Sequence, residues 1–498
     1  MTKTQKTEQI LRSSEWQGQH YIDYSLISGL SPRRGRRDFV SWVDMEFAET
    51  ALDTPENRVY YIGKKLAQES SGSIQSTYIY ELESTLIGVL ARMESRGVSF
   101  DSEKLRDIGE RIRADIARLE TEIYDIIGER FNLNSPKQLQ VILFEKLGIK
   151  PTKKNKTGYS VDNDVLEEIA KNYDIARLIL EYRGLAKLSS TYVEWLLKSV
   201  DTDRKIHTTY DSLGASTGRM SSTDPNLQNI PTGDGYAREI KECFVPSSWN
   251  ILLVADYSQI ELRILAFLSQ DEALLEAFAH GEDIHARTAF FLFGDKVGAD
   301  KKTWKATSEQ RRIAKSVNFG VIYGITGFWL AKTLDCSPWE AQEYVNAFYA
   351  KYPGVRIYYD RLLEDARKNG YVETYFGRRR YIPWVNDANK TLRAIAEREA
   401  MNMPVQGTAA DVIKIAMIEL DANIRDNNIG WRMILQVHDE LVFDIPTSEQ
   451  EVFEKMVRET MEGVLRNYEW RMTNDEWRKI IPPIIVDIST GANWSEAK

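Results

Sequence analysis

The chain has 498 residues, of which 43% are hydrophobic and 28% are charged, so it is long enough to bury several cores. Its two cysteines, Cys243 and Cys336, lie far apart in the sequence, which excludes a disulfide scaffold and a four-thiolate zinc site and favours a reducing compartment. The net charge of −9 argues mildly against a nucleic-acid partner, because phosphate backbones favour basic surfaces. Any such partner would have to be bound by local basic clusters.

The first half of the chain is predicted to be mostly helical. Residues 1–78 are polar and irregular, and their basic cluster at 33–37 either touches DNA or is solvated. From residue 80 to about 198 the apolar residues recur at helical spacing, which predicts long amphipathic helices. The lysine-rich insertion 150–158 interrupts them as a solvated loop or as a tip that contacts phosphate. No stretch approaches the roughly 18 apolar residues of a spanning helix, so we expect a soluble, unexported protein.

Mixed strands and helices are predicted after residue 208. Residues 251–255 form a short apolar run between turn formers, which indicates a buried strand with Asp256 at its end. A helix is predicted to follow directly, because Ser258 and Glu261 have the spacing of a capping box before an apolar residue at every fourth position.

A second strand pair near the C-terminus carries acidic residues. The apolar runs 433–437 and 441–445 flank His438-Asp439-Glu440, which predicts a tight hairpin with acids at its tip. Asp439 and Asp256 can converge if their strands share one sheet, although each taken alone is more typical of a loop or a cap. Converging carboxylates repel each other, and a pair of Mg²⁺ ions would offset that repulsion. The pair therefore suggests metal-dependent chemistry, which spacing alone does not prove.

A stripe of cations and aromatic rings is predicted between these two acidic sites. Arg311, Lys315, Phe319 and Tyr323 recur at every fourth residue, so on a helix they form a strip about 18 Å long with cations at one end. A nucleoside triphosphate has the same polarity, since cations bind phosphates and aromatic rings stack near a base. The alternative is a solvated basic turn followed by core aromatics.

These segments resemble the motifs of family A DNA polymerases of the bacterial polymerase I type. Asp256-Tyr-Ser-Gln-Ile-Glu-Leu-Arg263 matches motif A, residues 311–324 match motif B, and Gln436-Val-His-Asp-Glu440 matches motif C. Further matching stretches are 217–231, 283–285, 376–380 and 402–411. The resemblance runs from about Glu81 to the C-terminus, and three motifs in the family's order make it specific.

The resemblance implies an α+β fold with a right-hand polymerase architecture. Its helical thumb would be 79–205, its palm 206–270 and 393–498 with an antiparallel sheet, and its fingers 271–392. Residues 1–78 would be an N-terminal remnant, and a truncated exonuclease region is one interpretation of it.

The implied activity is DNA-templated addition of dNTPs to a primer 3′ end. Asp256 and Asp439 would hold two Mg²⁺ ions, which Mn²⁺ can replace, with the Tyr257 carbonyl as a further ligand. The primer oxygen would attack the α-phosphorus, Lys315 would protonate the leaving group, and Glu440 would be auxiliary.

The resemblance also implies contacts to the incoming dNTP, by Arg311, Lys315, His285, Phe319, Tyr323, Glu261 and Gln259. Glu261, supported by Tyr323, would lie beneath the sugar and exclude a 2′-OH. Phe319, where some relatives carry Tyr, predicts discrimination against dideoxynucleotides. A lone His285 would ordinarily be a satisfied histidine, and only its Asp-Ile-His context favours a triphosphate contact.

The DNA contacts implied by the resemblance serve two purposes. Arg219, Asn229, Gln406 and Gln436 would test base-pair geometry through minor-groove acceptors, which correct pairs share. His438 would lie near the terminal phosphate. Arg398 and the thumb-loop lysines would contact phosphate without reading sequence. Those lysines are Lys153, Lys154 and Lys156.

Several expectations concern what accompanies polymerisation. Asp44 and Glu46 have the spacing of an exonuclease motif, but residues 1–78 are too few for that fold, so we expect no proofreading, through natural truncation or design. We also expect a monomer in a bacterial or phage-infected cytoplasm, near the nucleoid, with a separate exonuclease or replication partner conceivable.

Rival functions are disfavoured by particular residues. An RNA polymerase conflicts with Glu261 and Phe319, and a reverse transcriptase usually shows Tyr-x-Asp-Asp rather than the sequence at 436–440. A non-catalytic DNA-binding accessory subunit would not require Asp256 and Asp439.

Overall fold

The computed structural model describes residues 74–155, 158–298, 300, 303–427, 430–468 and 479–498. Some of the predictions concern residues outside these ranges. The N-terminal segment up to residue 73, with its basic cluster at 33–37 and the pair Asp44 and Glu46, lies outside the described residues, and so does Lys156.

The described residues form helices of 5 to 37 residues and mostly short strands. The helices are α1 (Ile74–Arg96), α2 (Ser102–Ile127), α3 (Pro136–Gln140), α4 (Asn163–Ala170), α5 (Asp174–Lys187), α6 (Glu194–Ser199), α7 (Tyr236–Lys241), α8 (Ile260–Ser269), α9 (Glu272–Ala279), α10 (Ile284–Ala289), α11 (Ser308–Ile322), α12 (Gly327–Leu334), α13 (Pro338–Lys351), α14 (Pro353–Asn369), α15 (Lys390–Asp426) and α16 (Gln450–Asn467). The strands are β1 (Val98–Ser99), β2 (Lys154–Asn155), β3 (Gly158–Tyr159), β4 (Lys205–Ile206), β5 (Thr209–Asp211), β6 (Ser221–Thr223), β7 (Asn250–Tyr257), β8 (Tyr371–Glu373), β9 (Arg379–Tyr381), β10 (Arg432–Val437), β11 (Glu440–Pro446) and β12 (Val486–Gly491). The predicted α+β class is confirmed.

The chain divides into two compact units that are not contiguous in sequence. Among the described residues, the first contains those within 74–96, 209–223 and 253–489, and the second contains those within 97–208, 224–252 and 490–498. Across the described ranges, no helix is both long enough and apolar enough to cross a membrane.

The helices of the second unit follow from their caps and apolar spacing. Helix α2 begins after Asp101, whose side chain accepts a hydrogen bond from the Lys104 amide at 2.9 Å, and ends at Gly128 in the left-handed region at φ +79°. Leu105, Ile108 and other residues at this spacing are buried in α2. The predicted amphipathic spacing is thus confirmed for α2, and it is also confirmed in the first unit for α1, where Leu82, Leu86 and Leu90 are buried. After residue 128 the chain forms shorter helices.

The main sheet of the fold has the strand order β10–β11–β7–β12. Strands β10 and β11 pair antiparallel from Arg432 opposite Asp444 to Val437 opposite Glu440, with an irregularity between Met433 and Leu435. This pairing confirms the predicted hairpin, and β7 confirms the predicted buried strand. Both elements place their acidic residues at strand ends.

Helix α15 is the longest described helix and lies in the first unit. All of its residues from 403 to 417 are buried, and it contacts α1, α8, α14 and α16. It also contacts α11, so it packs against both the helix that carries Glu261 and the helix that carries the predicted nucleotide-binding stripe.

Candidate active site

Two carboxylates lie at neighbouring strand ends in the first unit. Asp256 is the penultimate residue of β7, and Asp439 lies in the turn of the β10–β11 hairpin, next to His438 at φ +52°. The Tyr257 amide donates a hydrogen bond to the Asp439 carbonyl at 3.1 Å, which fixes the hairpin turn against the end of β7. The structure therefore brings the two predicted carboxylates together.

This carboxylate pair has an excess of negative charge. Burial raises the pKa of Asp439 to about 6, and the nearby carboxylates of Glu261, Asp256 and Glu440 raise it as well, while Arg219 opposes them. Glu440 is itself buried at the start of β11. The site thus favours an added cation.

The donor set at the two strand ends fits Mg²⁺. Among the described residues, no group of three or more acidic, histidine or cysteine side chains forms a complete metal site. Mg²⁺ usually binds through one or two carboxylates and fills its remaining positions with waters and substrate phosphates. The carboxylates of Asp256 and Asp439, with the Tyr257 carbonyl beside them, match that pattern.

Glu261 is the centre of a hydrogen-bonded cluster beside the carboxylate pair. The residue is nearly inaccessible, at 4% exposure, and its carboxylate accepts hydrogen bonds from Arg219 Nη2 at 2.7 Å and from the Tyr323 hydroxyl at 3.0 Å. Gln406 Nε2 lies 3.4 Å from the same carboxylate, and Arg219 Nη2 lies 3.6 Å from Asp439 Oδ1. The predicted support of Glu261 by Tyr323 is present in the structure.

The predicted capping box at the start of α8 is wrong. Gln259, not Ser258, precedes the helix, and it adopts a left-handed conformation with φ +53° and no side-chain cap. The Ser258 carbonyl accepts a hydrogen bond from Arg263, and the carboxylate of Glu261 is turned to Arg219 and Tyr323 instead. Gln259 Oε1 is buried and has no hydrogen-bond partner within the described part of the chain.

Helix α11 carries the predicted stripe. A capping box of Thr307 and Gln310 begins the helix, a signal that the sequence analysis missed. Arg311, Lys315 and Tyr323 are exposed and Phe319 is partly buried, so the four side chains follow one accessible face. Lys315 Nζ lies 5.9 Å from the centroid of the Phe319 ring.

The short helix α10 carries His285 and packs against α11, which carries the stripe. The Asp283 side chain caps this helix by accepting from the amides of His285 at 2.9 Å and Ala286 at 3.2 Å, and it also forms an ion pair with Arg311. The His285 ring lies 5.7 Å from that of Phe319. Burial lowers the pKa of His285 to about 4, so the ring is neutral at pH 7. Sequence reasoning gave Asp283 no role, although an Asp before a helix is a recognisable cap.

The predicted DNA-contacting residues are distributed over both units. In the first unit, Gln436 is buried in β10 and donates to the His438 carbonyl at 2.5 Å, which holds the exposed His438 in its turn. Gln406 is buried, and Arg398 is partly exposed, both on α15.

The remaining predicted DNA contacts, Asn229, Lys153 and Lys154, are exposed in the second unit. Lys153 forms an ion pair with Asp162 at 2.7 Å, and Lys154 Nζ lies 5.8 Å from the Tyr159 ring centroid. Both lysines therefore already have intramolecular neighbours in a solvent-accessible loop.

Comparison with known proteins relates the sequence of this chain to one family. The model of DNA polymerase family A matches residues 102–496. The chain is 44% identical to DNA polymerase I of Lactococcus lactis subsp. cremoris over 435 residues, and 44% identical to DNA polymerase I of Bacillus subtilis over 437 residues. Each match covers 87% of this chain and 48% of the relative. The chain thus spans about half the length of these curated relatives.

A solved structure is also similar over most of the chain. It is the POL domain of Pol1 from M. smegmatis in complex with DNA primer-template and dNTP, with a TM-score of 0.84 and 35% sequence identity. The similarity covers 95% of this chain and 82% of that one. The chain belongs to DNA polymerase family A.

Proposed function

We propose that this chain is a DNA-templated DNA polymerase that adds dNTPs to a primer 3′ end by two-metal-ion nucleotidyl transfer. The observation that carries the proposal is the carboxylate pair of Asp256 and Asp439 at neighbouring strand ends, with Asp439 near Tyr323 at the end of the helix that presents Arg311 and Lys315. The similar M. smegmatis domain, whose complex contains primer-template DNA and dNTP, supports the choice of substrates.

Asp256 and Asp439, with the Tyr257 carbonyl, are the groups that would hold the metal ions. When bound, two Mg²⁺ ions activate the attacking oxygen and neutralise charge on the leaving group. Glu440 adds to the local negative charge and is proposed as an auxiliary residue.

Residues of α11 would orient the triphosphate. Arg311 is held by Asp283, so its planar guanidinium is positioned in advance for a phosphate. Lys315 is exposed one helical turn further along, where its ammonium can donate a proton to the leaving pyrophosphate. Phe319 follows on the same face and would stack near the base.

Glu261 would select the sugar. Arg219 and Tyr323 hold its carboxylate from two sides, so the side chain has little freedom to move away from a 2′-OH. A ribonucleotide would then have to displace a buried carboxylate that already has hydrogen-bond partners. This arrangement supports deoxynucleotide selectivity, while discrimination against dideoxynucleotides through Phe319 stays a prediction.

Other expectations remain predictions. The absence of proofreading depends on residues that lie mainly outside the described ones. The division into thumb, palm and fingers, the monomeric state, the cytoplasmic location and the contacts of Asn229, Gln406, Gln436, Arg398 and the thumb-loop lysines with DNA also stay predictions.

Primer extension with matched variants tests the proposal. Wild type, Asp256→Ala and Asp439→Ala are compared on a labelled primer-template with Mg²⁺ and dNTPs, and DNA binding is measured separately. Asp360→Ala is the control, because this carboxylate is exposed on α14 and pairs only with Arg356 at 3.0 Å among the contacts described for it. Extension should be lost in the two strand-end variants and kept in the control. Folded wild type that binds DNA without extending it would support the non-catalytic accessory subunit instead.

A further inference from the structure

A buried hydrogen-bond chain lies behind His285. Thr288 on α10 donates from Oγ1 to Asn318 Oδ1 on α11 at 2.8 Å, and Asn318 Nδ2 lies 2.8 Å from His285 Nδ1. Thr288 and Asn318 are both 0% exposed, and His285 is 5% exposed. Bulk water therefore does not reach these two contacts, and Asn318 and the Nδ1 atom of His285 depend on each other and on Thr288 for their hydrogen bonds.

The direction of these hydrogen bonds determines which nitrogen of the His285 ring carries the proton. If the NH₂ of the Asn318 side chain faces the ring, as the position of Nδ2 indicates, it donates to His285 Nδ1. The proton of a neutral ring must then be on Nε2. If the amide is reversed, its oxygen would need an Nδ1–H, and the Nε2 of a neutral ring would become an acceptor. An acceptor at Nε2 would repel a phosphate oxygen, whereas a donor would bind it.

Burial is the main reason why the His285 ring is neutral, because it disfavours the charged form. Arg311 and Lys315 on α11 add to this effect, since a third positive charge beside these two cations would be unfavourable, whereas the carboxylate of Asp283 opposes it. Asp283 is the nearby carboxylate, but its oxygens already cap α10 and pair with Arg311. The Phe319 ring covers the imidazole on another side.

We propose that Asn318, held by Thr288, is a positioning residue that fixes His285 as the neutral Nε2–H tautomer, so that His285 offers one uncharged donor to the triphosphate. This inference rests on the proposed function for the identity of the ligand, whereas the tautomer itself does not. Arg311 and Lys315 then supply the positive charge, and His285 donates one hydrogen bond of fixed direction to the triphosphate. Neither Asn318 nor Thr288 touches the nucleotide in this arrangement.

Nitrogen NMR of the full chain with labelled histidine tests the tautomer directly. The chain has five histidines, and a His285→Gln sample identifies the resonances of interest. At pH 7 the wild type should show a proton on Nε2 and an unprotonated Nδ1, and it should not titrate above pH 5.5. A proton on Nδ1, or titration near pH 6.5, would overturn the inference. This measurement needs neither DNA nor activity.

Substitutions then separate positioning from general stability. Asn318→Asp should make the ring an imidazolium at pH 7, because a carboxylate accepts from Nδ1–H. Thr288→Val should give a mixture of tautomers, while Thr288→Ser keeps the hydroxyl and should keep the wild-type spectrum. Unchanged spectra in Asn318→Asp and Thr288→Val would contradict the proposed chain.

Steady-state kinetics connect the tautomer to nucleotide binding. Asn318→Ala should raise KM for dNTP about tenfold, the loss expected for one misdirected hydrogen bond to a charged group, with kcat changed less than twofold. Equal losses in kcat with an unchanged KM would refute positioning. If the wild type has the expected tautomer but extends no primer, the proposed function fails and the tautomer assignment stands. If it extends primers with a proton on Nδ1, only the inference fails.

Discussion

Replacing Glu83 with glutamine should destabilise the fold by about 3 to 5 kcal/mol, because the change breaks a buried ion cluster. Glu83 and Lys414 are 1% and 0% exposed, and their charged atoms lie 2.6 Å apart. Arg378 also donates to Glu83, and its Nε donates to Asp411 at 2.7 Å. The four side chains thus carry two positive and two negative charges in a space that is closed to bulk solvent.

The size of the effect follows from the charge left behind. Without the Glu83 carboxylate, Lys414 and Arg378 share the single anion of Asp411, and Lys414 keeps as close acceptors only neutral oxygens, those of the Ser212 carbonyl at 2.9 Å and of the new glutamine amide. Burial already lowers the pKa of Lys414 to about 8. Loss of its proton therefore limits the cost, which should fall below that of a fixed unpaired charge.

Urea denaturation of single and double variants measures this coupling. Glu83→Gln and Lys414→Met should each be costly, and the double variant should cost less than the sum of the two by more than about 2 kcal/mol, because it restores neutrality. A cost below about 1 kcal/mol for Glu83→Gln, or additive costs, would refute the account of a buried, charge-balanced cluster.

Other predictions concern the elements around the site. Gly218→Ala should lower kcat/KM about tenfold, because a Cβ at φ +83° would lie 2.7 Å from Arg378 Cδ and displace the following arginine that holds Glu261. Gly370→Ala, at φ +77° with open space around it, is the control and should leave kcat/KM unchanged while costing about 1 kcal/mol of stability. Glu261→Ala should increase ribonucleotide incorporation at least tenfold in single-nucleotide assays, and unchanged selectivity would exclude a sugar-selecting role. The pKa of about 4 for His285 lies below that of the unfolded chain, so stability should fall as pH decreases from 6.5 towards 4, by about 3 kcal/mol, and His285→Gln should remove that part.

Local and periodic features of the fold were predictable from sequence. Strand β7 and the β10–β11 hairpin follow from apolar runs bounded by turn formers, and α11 follows from its four-residue repeat. The pairing of Asp256 with Asp439 required the further assumption of one sheet, which the strand order supports. These features depend on interactions within about 15 residues, apart from that one assumption.

Features that depend on tertiary packing were not predictable. The capping box at Ser258 failed because Arg263 and the Ile485 carbonyl bind the backbone of Ser258 and a tertiary cluster recruits Glu261. Glu83 and Lys414 are separated by 331 positions, so nothing local indicates their pairing. Asn318 looks like any polar residue in a helix, and only its complete burial reveals a role.

The most direct test of the central claim is single-turnover incorporation of a matched dNTP by Asp256→Ala, Asp439→Ala and the double variant. If the two carboxylates act together on one site, each single variant should lose at least about 10³-fold in rate, and the double variant should be hardly slower than either. Single variants that retain more than about a tenth of the wild-type rate, or losses that multiply in the double variant, would contradict the claim that this pair carries the chemistry.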